Sequence, residues 1–243
     1  MKRKETNLEV LEPPIIKWNE ELEEKWLMDK WGCFGASDMF KLWSKGKGEM
    51  FGVGAKTLIK KVARQAYTTF NMEDNVETYS MRMGKILEPQ SFGYVYNLLG
   101  LKELEYFGSI NPIFIKHCKD CFNTDTGCSP DGAAKRKDGT ISFGIELKNN
   151  KGDTHWDSLT EIKRQSDLKE KSKDDYTQCQ FSMACCDADV WLWISYNEYF
   201  PDKHKALIVE VTPDKEFMEE LEERITAAIK KKYEYIDEMK NRN

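Results

Sequence analysis

Histidine is scarce in this 243-residue sequence, present only as His117, His155 and His204. Cys/His nucleophilic chemistry would need one of the three to approach a thiol as its base, and nothing in the spacing points to such a pair. Long apolar runs are missing too. No stretch approaches about 18 uncharged apolar residues, the length a membrane-spanning helix needs, and the most apolar window, Ala188–Tyr196, has the length of a strand. The basic start, Met1–Thr6, leads into Leu8–Ile16, which is broken by Glu9, Glu12, Pro13 and Pro14 and is unlike a secretory signal core. With no such leader and an odd count of seven cysteines, the expected location is cytoplasmic, with reduced thiols. Internal repeats and low-complexity linkers are absent, so one domain over 1–243 is expected.

What is present builds a core. Hydrophobic residues make up 40% of the chain and aromatics 12%, which excludes a disordered chain and disfavours a rod. The formal charge of -5 predicts no bulk affinity for nucleic acid, but the charge is segregated. Lys41–Arg64 holds seven basic residues against Glu49 alone, whereas residues 1–29 hold eight acids against five bases. Such a chain can present a cationic strip to a polyanion while remaining acidic overall.

Asn19 is a candidate cap for a helix over Glu20–Trp31, with Gly32 or Gly35 ending it. Ser37 reads as a second N-cap, opening a short helix through Trp43. The glycine-studded Lys45–Gly54 reads as a loop. Helical patterns cover Ala55–Phe70 and Val76–Leu99, and Pro89 in the second marks either a helix start or a kink. From Leu104 the period shortens: Leu104–Phe107, Ile113–Lys116, Gly132–Ala134 and Ile141–Leu147 read as a β-meander, with Asp138–Gly139 turning the last pair. Helices over Thr154–Arg164 and Asp175–Cys186, strands Asp189–Tyr196 and Ala206–Val211, and a closing helix to about Met239 complete the chain. Helices at about 19–99, a sheet core at about 104–212 and a cover at about 214–239 predict an α/β fold, not a Rossmann array. Trp191 and Trp193 are expected in a strand buried on both faces.

The chemistry concentrates in Thr126–Asn150. Asp131 follows Ser-Pro at the start of one strand, and on another Glu146 and Lys148 share a face while Leu147 points away. Two carboxylates beside a lysine suit metal-assisted phosphodiester hydrolysis: hard oxygen ligands hold Mg²⁺, which lowers the pKa of a bound water. The lysine can orient or deprotonate that water and offset charge building on phosphorus. Strands carrying Asp, Glu and Lys are also ordinary solvated surface. Glu88 is either a third carboxylate or a solvated helix acid. Gln178 and Gln180, set among apolar residues, call for assigned hydrogen-bond partners. Ser37, at a helix start, either caps it or offers a phosphate site with the free N–H groups behind it.

Five blocks in this order carry a resemblance: Gly35-Ala36-Ser37-Asp38, Gly84-Lys85-x-x-Glu88, Cys128-Ser129-Pro130-Asp131-Gly132, Glu146-Leu147-Lys148, and Gln178-x-Gln180-Phe181-Ser182-Met183. Over roughly residues 30–200 the chain resembles the lambda-exonuclease type, or YqaJ viral recombinase family, of PD-(D/E)xK nucleases. The resemblance implies a restriction-endonuclease-like core, a central mixed sheet flanked by helices. It implies a 5′→3′ exonuclease on double-stranded DNA, dependent on Mg²⁺ or Mn²⁺, that releases mononucleotides and leaves a 3′ single strand for recombination. Asp131, Glu146 and the Leu147 carbonyl would bind metal with support from Glu88; Lys148 would act on the attacking water, and Gln178 would orient groups near the scissile nucleotide. Ser37 would contact a 5′-phosphate, with Lys30 where the family has an arginine; a lysine is a point charge without the bidentate fork. Asn149-Asn150 replace the usual Cys-Pro, a change expected to be structural. A homotrimeric ring, a single-strand annealing partner and a phage or prophage origin are further implications.

Competing readings remain. His117-Cys118-x-x-Cys121 with Cys128 could hold zinc, although no second CxxC follows. An iron–sulfur nuclease is disfavoured because the last cysteine is Cys186 and Ser182 stands four after Gln178. A structure-specific or nicking endonuclease on the same core, and a non-catalytic scaffold that binds DNA ends, are the alternative functions.

Overall fold

The computed structural model describes residues 19–72 and 78–242. The segments Met1–Thr6 and Leu8–Ile16 and the expected helix start at Val76 lie outside them. Helix α1 (Glu20–Lys30) begins at Asn19, whose side-chain oxygen accepts from the N–H groups of Glu21 and Leu22. Acids in its first turn face the positive helix end. A short strand, β1 (Phe34–Gly35), runs directly into a 3₁₀ helix over Ala36–Trp43. The expected Ser37 cap is corrected here: extended Gly35 takes the cap position with no side-chain bond, and Ser37 lies within the first turn. Pairing of β1 delivers Gly35 already extended, so the tighter helix starts earlier than a serine cap would set it.

Helices α2 (Val53–Tyr67) and α3 (Tyr79–Leu99) follow, and Pro89 lies well inside α3. Its ring removes the N–H that would bond the Lys85 carbonyl one turn back. Ser109 Oγ donates to that carbonyl instead, at 2.8 Å.

The expected meander is interrupted. Strand β2 (Leu104–Tyr106) joins the large sheet, but β3 (Ile115–Lys116) leaves it and pairs with β4 (Thr126–Cys128) after the single-turn helix α4 (Asp120–Asn123). With β1 parallel to β4, these strands form a separate sheet in the order β1-β4-β3. Strands β5 (Gly132–Lys135) and β6 (Ile141–Asn149) form the expected hairpin, with Gly139 at φ +87° in its turn.

From β6 the chain crosses through α5 (Gly152–Glu161), α6 (Gln165–Lys171) and α7 (Lys173–Cys186) to β7 (Val190–Tyr196), which lies parallel to β6. The helix expected over Thr154–Arg164 thus ends early, and α6 is additional. Strand β8 (Ala206–Val211) completes the sheet β2-β5-β6-β7-β8, and α8 (Lys215–Lys240), capped by Asp214, closes the chain.

Two hydrophobic cores hold the layers together. One joins Phe34, Tyr176, Phe181, Trp191, Trp193 and Leu221; the other joins Phe92, Val95, Ile145, Leu147, Ile194 and Tyr196. Strand β7 is buried on both faces, because Trp191 and Trp193 enter the first core and Ile194 and Tyr196 the second. Gly144 is opposite Trp191 in the β6–β7 register, and a Cβ there would fall on the indole ring. Among the described residues no helix is long and apolar enough to cross a membrane.

Candidate active site

Adjacent strands bring the acidic residues together. The Asp131 N–H donates to the Ile145 carbonyl at 3.1 Å, which fixes the start of β5 against β6. Its Oδ2 then accepts from the Leu147 N–H at 2.6 Å, so the aspartate sits beside the segment that carries Glu146 and Lys148. The Leu147 side chain turns into the second core. Lys148 Nζ pairs with Glu146 Oε1 at 2.8 Å, as two residues on one strand face should.

Helix α7 covers this pair from above. Gln178 Oε1 accepts from Lys148 Nζ at 3.0 Å, and Asp175 Oδ1, one helical turn earlier, lies 3.2 Å from the same nitrogen. Gln180 serves the fold: it donates to the Thr212 carbonyl and accepts from the Asp214 N–H. Sequence reasoning missed Asp175. Its signal was present in the Asp175-x-x-Gln178 spacing, which sets both side chains on one helix face.

Glu88 reaches the site from α3. Its Oε1 accepts from the Ser109 N–H at 2.7 Å and the Tyr106 hydroxyl at 2.9 Å. Gly108 is required for this approach, since a Cβ there would fall on the Glu88 carboxylate.

The electrostatics are those of crowded buried acids. Burial, then the charges of Glu146 and Glu88, push the Asp131 carboxyl well above its ordinary range. Burial raises Glu146 against the pull of Lys148, and raises Glu88 against its bonds from Ser109 and Tyr106. Burial opposes the charge on Lys148, but Glu146 and Asp175 outweigh it and hold the ammonium well above its usual pKa. The Lys148 side chain keeps 26% of its exposure, enough to be reached from solvent. Glu146 Oε2 is buried without a hydrogen-bond partner. An orphaned carboxylate oxygen among acids that repel one another is the donor set a hard divalent cation fits. Among the described residues no three His, Cys, Asp or Glu side chains already converge as a ready-made metal shell, and Glu146 is turned toward its lysine.

A cleft of about 500 Å³ adjoins these residues, lined by Trp26, Lys30, Ser37, Lys41, Lys61 and Gln178 among others. It contains both residues expected at a 5′-phosphate. Lys30 Nζ lies 3.7 Å above the Trp26 ring, and burial, with Lys61 and Lys85 nearby, lowers its pKa to about 8. The Trp26 indole donates to Ser129 Oγ at 2.8 Å, tying this wall to the Ser129-Pro130-Asp131 segment. The cationic strip divides: Lys41 and Lys61 line the cleft, while Lys56 pairs with Glu49 and Lys60 lies over Tyr235.

Other candidates are absorbed by the fold. Cys118 and Cys121 are exposed, whereas Cys128 is buried beside Cys186 with the sulfurs 3.5 Å apart, so no zinc cluster forms among the described residues. All seven thiols are free. Buried His155 bonds the His204 carbonyl through Nε2 at 2.7 Å, so that nitrogen carries the proton and Nδ1 accepts from Ser195 Oγ. Asn150 donates to the same hydroxyl, a structural use of one of the two asparagines after Lys148.

A mixed sheet carrying Asp131 and Glu146-Leu147-Lys148, crossed by a helix that presents a glutamine, is a fold shared with solved exonucleases. In particular, the chain is similar to an alkaline exonuclease, LHK-Exo, from Laribacter hongkongensis, with a TM-score of 0.70 at 20% identity over 89% of this chain and 96% of that one. The same enzyme in complex with dAMP gives 0.69 at 19% identity, over 89% and 96%. A phage-related exonuclease from Haemophilus somnus 129PT gives 0.58 at 18% identity, over 85% of this chain and 96% of the other. At these identities the likeness is one of fold. Neither a family model nor a curated protein matches the sequence.

Proposed function

We propose that the chain is a metal-dependent exonuclease of the lambda-exonuclease type, degrading one strand of double-stranded DNA from its 5′ end to mononucleotides. The observation that carries this reading is the convergence of Asp131, Glu146, Lys148 and Gln178 at the edge of a cleft containing Ser37 and Lys30. Gln178 belongs to both, touching Lys148 and lining the cleft. A terminal phosphate held by Lys30 and Ser37 would therefore set the next phosphodiester against the acids, which gives end-dependence and release of single nucleotides.

Asp131, Glu146, the Leu147 carbonyl and Glu88 would hold Mg²⁺ or Mn²⁺. A bound ion supplies a water of lowered pKa and offsets charge on the scissile phosphate. Lys148 keeps its proton beside two carboxylates, and so acts by orienting the attacking water and countering charge on the phosphoryl oxygens. Gln178 orients the ammonium. A 3′ single strand would remain, a substrate for recombination with an annealing protein, and a ring of three copies would keep the enzyme on its duplex.

The test is a digest of linear duplex with 5′-phosphate or 5′-hydroxyl ends beside a covalently closed circle, in Mg²⁺ and in EDTA. Metal-dependent loss of the phosphorylated linear duplex to mononucleotides is expected. Cutting of the circle would replace the exonuclease with an endonuclease on the same core, and binding without cutting would leave an end-binding scaffold.

A further inference from the structure

Three acceptors surround Lys148 Nζ: Glu146 Oε1 at 2.8 Å, Gln178 Oε1 at 3.0 Å and Asp175 Oδ1 at 3.2 Å. They are not equivalent. In the proposed function Glu146 is committed to a metal ion, and a carboxylate drawn onto a divalent cation contributes less to an ammonium beside it. Gln178 is neutral. Asp175 is then the one full negative charge among the three still dedicated to the lysine.

Its carboxylate is built to stay in place. Oδ2 accepts from the Trp193 indole at 3.0 Å and from Ser172 Oγ at 2.9 Å, which leaves Oδ1 turned to Lys148. Trp193 is itself fixed. It is buried in the core and pairs directly with Glu146 in the parallel β6–β7 register. One register position therefore sets both the proposed metal ligand and the donor that aims Asp175. An acid needed only to cap α7 would not require an indole from the sheet, and the cap position there, Ser172, makes no side-chain capping bond.

We propose that Asp175 is a positioning residue that holds the Lys148 side chain aimed at the scissile phosphate while Glu146 serves the metal. This rests on the nuclease reading for its consequence, but the contact can be tested apart from it. Asp175→Asn retains shape and an acceptor while removing the charge. The expected result is a fall in kcat on the order of 10- to 100-fold, the loss of one charge-assisted bond, with KM for phosphorylated linear duplex and the thermal midpoint little changed. Asp175→Glu should restore part of the loss.

The second readout needs no activity. Labelling of Lys148 by acetic anhydride, followed by mass spectrometry, should be slow in the parent with or without Mg²⁺, and several-fold faster in Asp175→Asn, most of all with Mg²⁺. Ser172→Ala, which removes one of the two donors to Oδ2, should lie between the two and serves if Asp175→Asn folds poorly. A kcat within two-fold of the parent, or unchanged labelling, overturns the proposal. Faster labelling in a chain that cuts no DNA would uphold the tether and overturn the nuclease reading.

Discussion

Lys148 is the residue on which the proposed chemistry turns, because it is the cation closest to the acids and still touches solvent. Lys148→Ala should abolish hydrolysis. It frees Glu146 Oε1, so the heat of Mg²⁺ binding should persist in a titration. The unpaired acids left behind should cost about 1–3 kcal/mol of stability, read by thermal melting. A folded Lys148→Ala protein that still degrades DNA would exclude the mechanism. At this scale the sequence was legible where chemistry follows period: Glu146 and Lys148 meet because strand side chains alternate, and Asp131 joins them because a hairpin pairs their strands. For Asp175 the spacing to Gln178 gave only the shared helix face; the indole that aims it lies 18 residues away, on a strand whose register no local pattern reveals.

At the scale of elements, the docking of the β2–β3 loop on α3 shows how a helix flaw becomes an anchor. Pro89 withholds the N–H that would bond the Lys85 carbonyl, and Ser109 bonds that carbonyl with its hydroxyl while its N–H holds Glu88. Ser109→Ala should therefore cost about 1–2 kcal/mol by removing that bond. Pro89→Ala supplies the missing donor from within the helix. In the double variant the serine's loss should cost much less than it does alone, and a double-mutant cycle by urea melting measures the difference. Additive costs would show that the two residues are unconnected. Local patterning gave most long elements to within a few residues, including the hairpin and the closing helix. It found the strand at β3 but assigned it to the wrong sheet, and it missed β1 and β4, two- and three-residue strands carrying too little periodicity to announce a second sheet. It failed also at α6, where a helix of seven residues is marginal without tertiary contacts.

Across the whole molecule, the cleft is assembled from distant parts of the chain. Lys232 on α8 donates to the Gly32 carbonyl at 2.7 Å and pairs with buried Asp125, while Arg224 donates to the Leu42 carbonyl at 3.0 Å. The closing helix thus braces both segments that flank Ser37. Inside the cleft Lys30 faces Lys61 from α2, Lys85 from α3, Asp38 from the 3₁₀ helix and Glu23 from its own helix. With its pKa lowered to about 8, Lys30 is mostly charged at pH 7 and mostly neutral at pH 9. The unfolded chain holds this proton up to the ordinary lysine range, so the folded state gains stability as pH rises through that window. The proposed phosphate recognition runs the other way. A terminal phosphate is already doubly charged above pH 7, so binding favours the protonated lysine and draws in a proton. The preference of the metal-free protein for a 5′-phosphorylated over a 5′-hydroxyl duplex should fall as pH rises past 8, by up to roughly ten-fold per pH unit. Fluorescence anisotropy between pH 7 and 9 measures it. Lys30→Arg should flatten that limb, since a guanidinium keeps its proton throughout and adds a bidentate fork. An equal pH slope in Lys30→Arg would remove Lys30 from the phosphate site and leave the cleft's charge to Lys41 and Lys61.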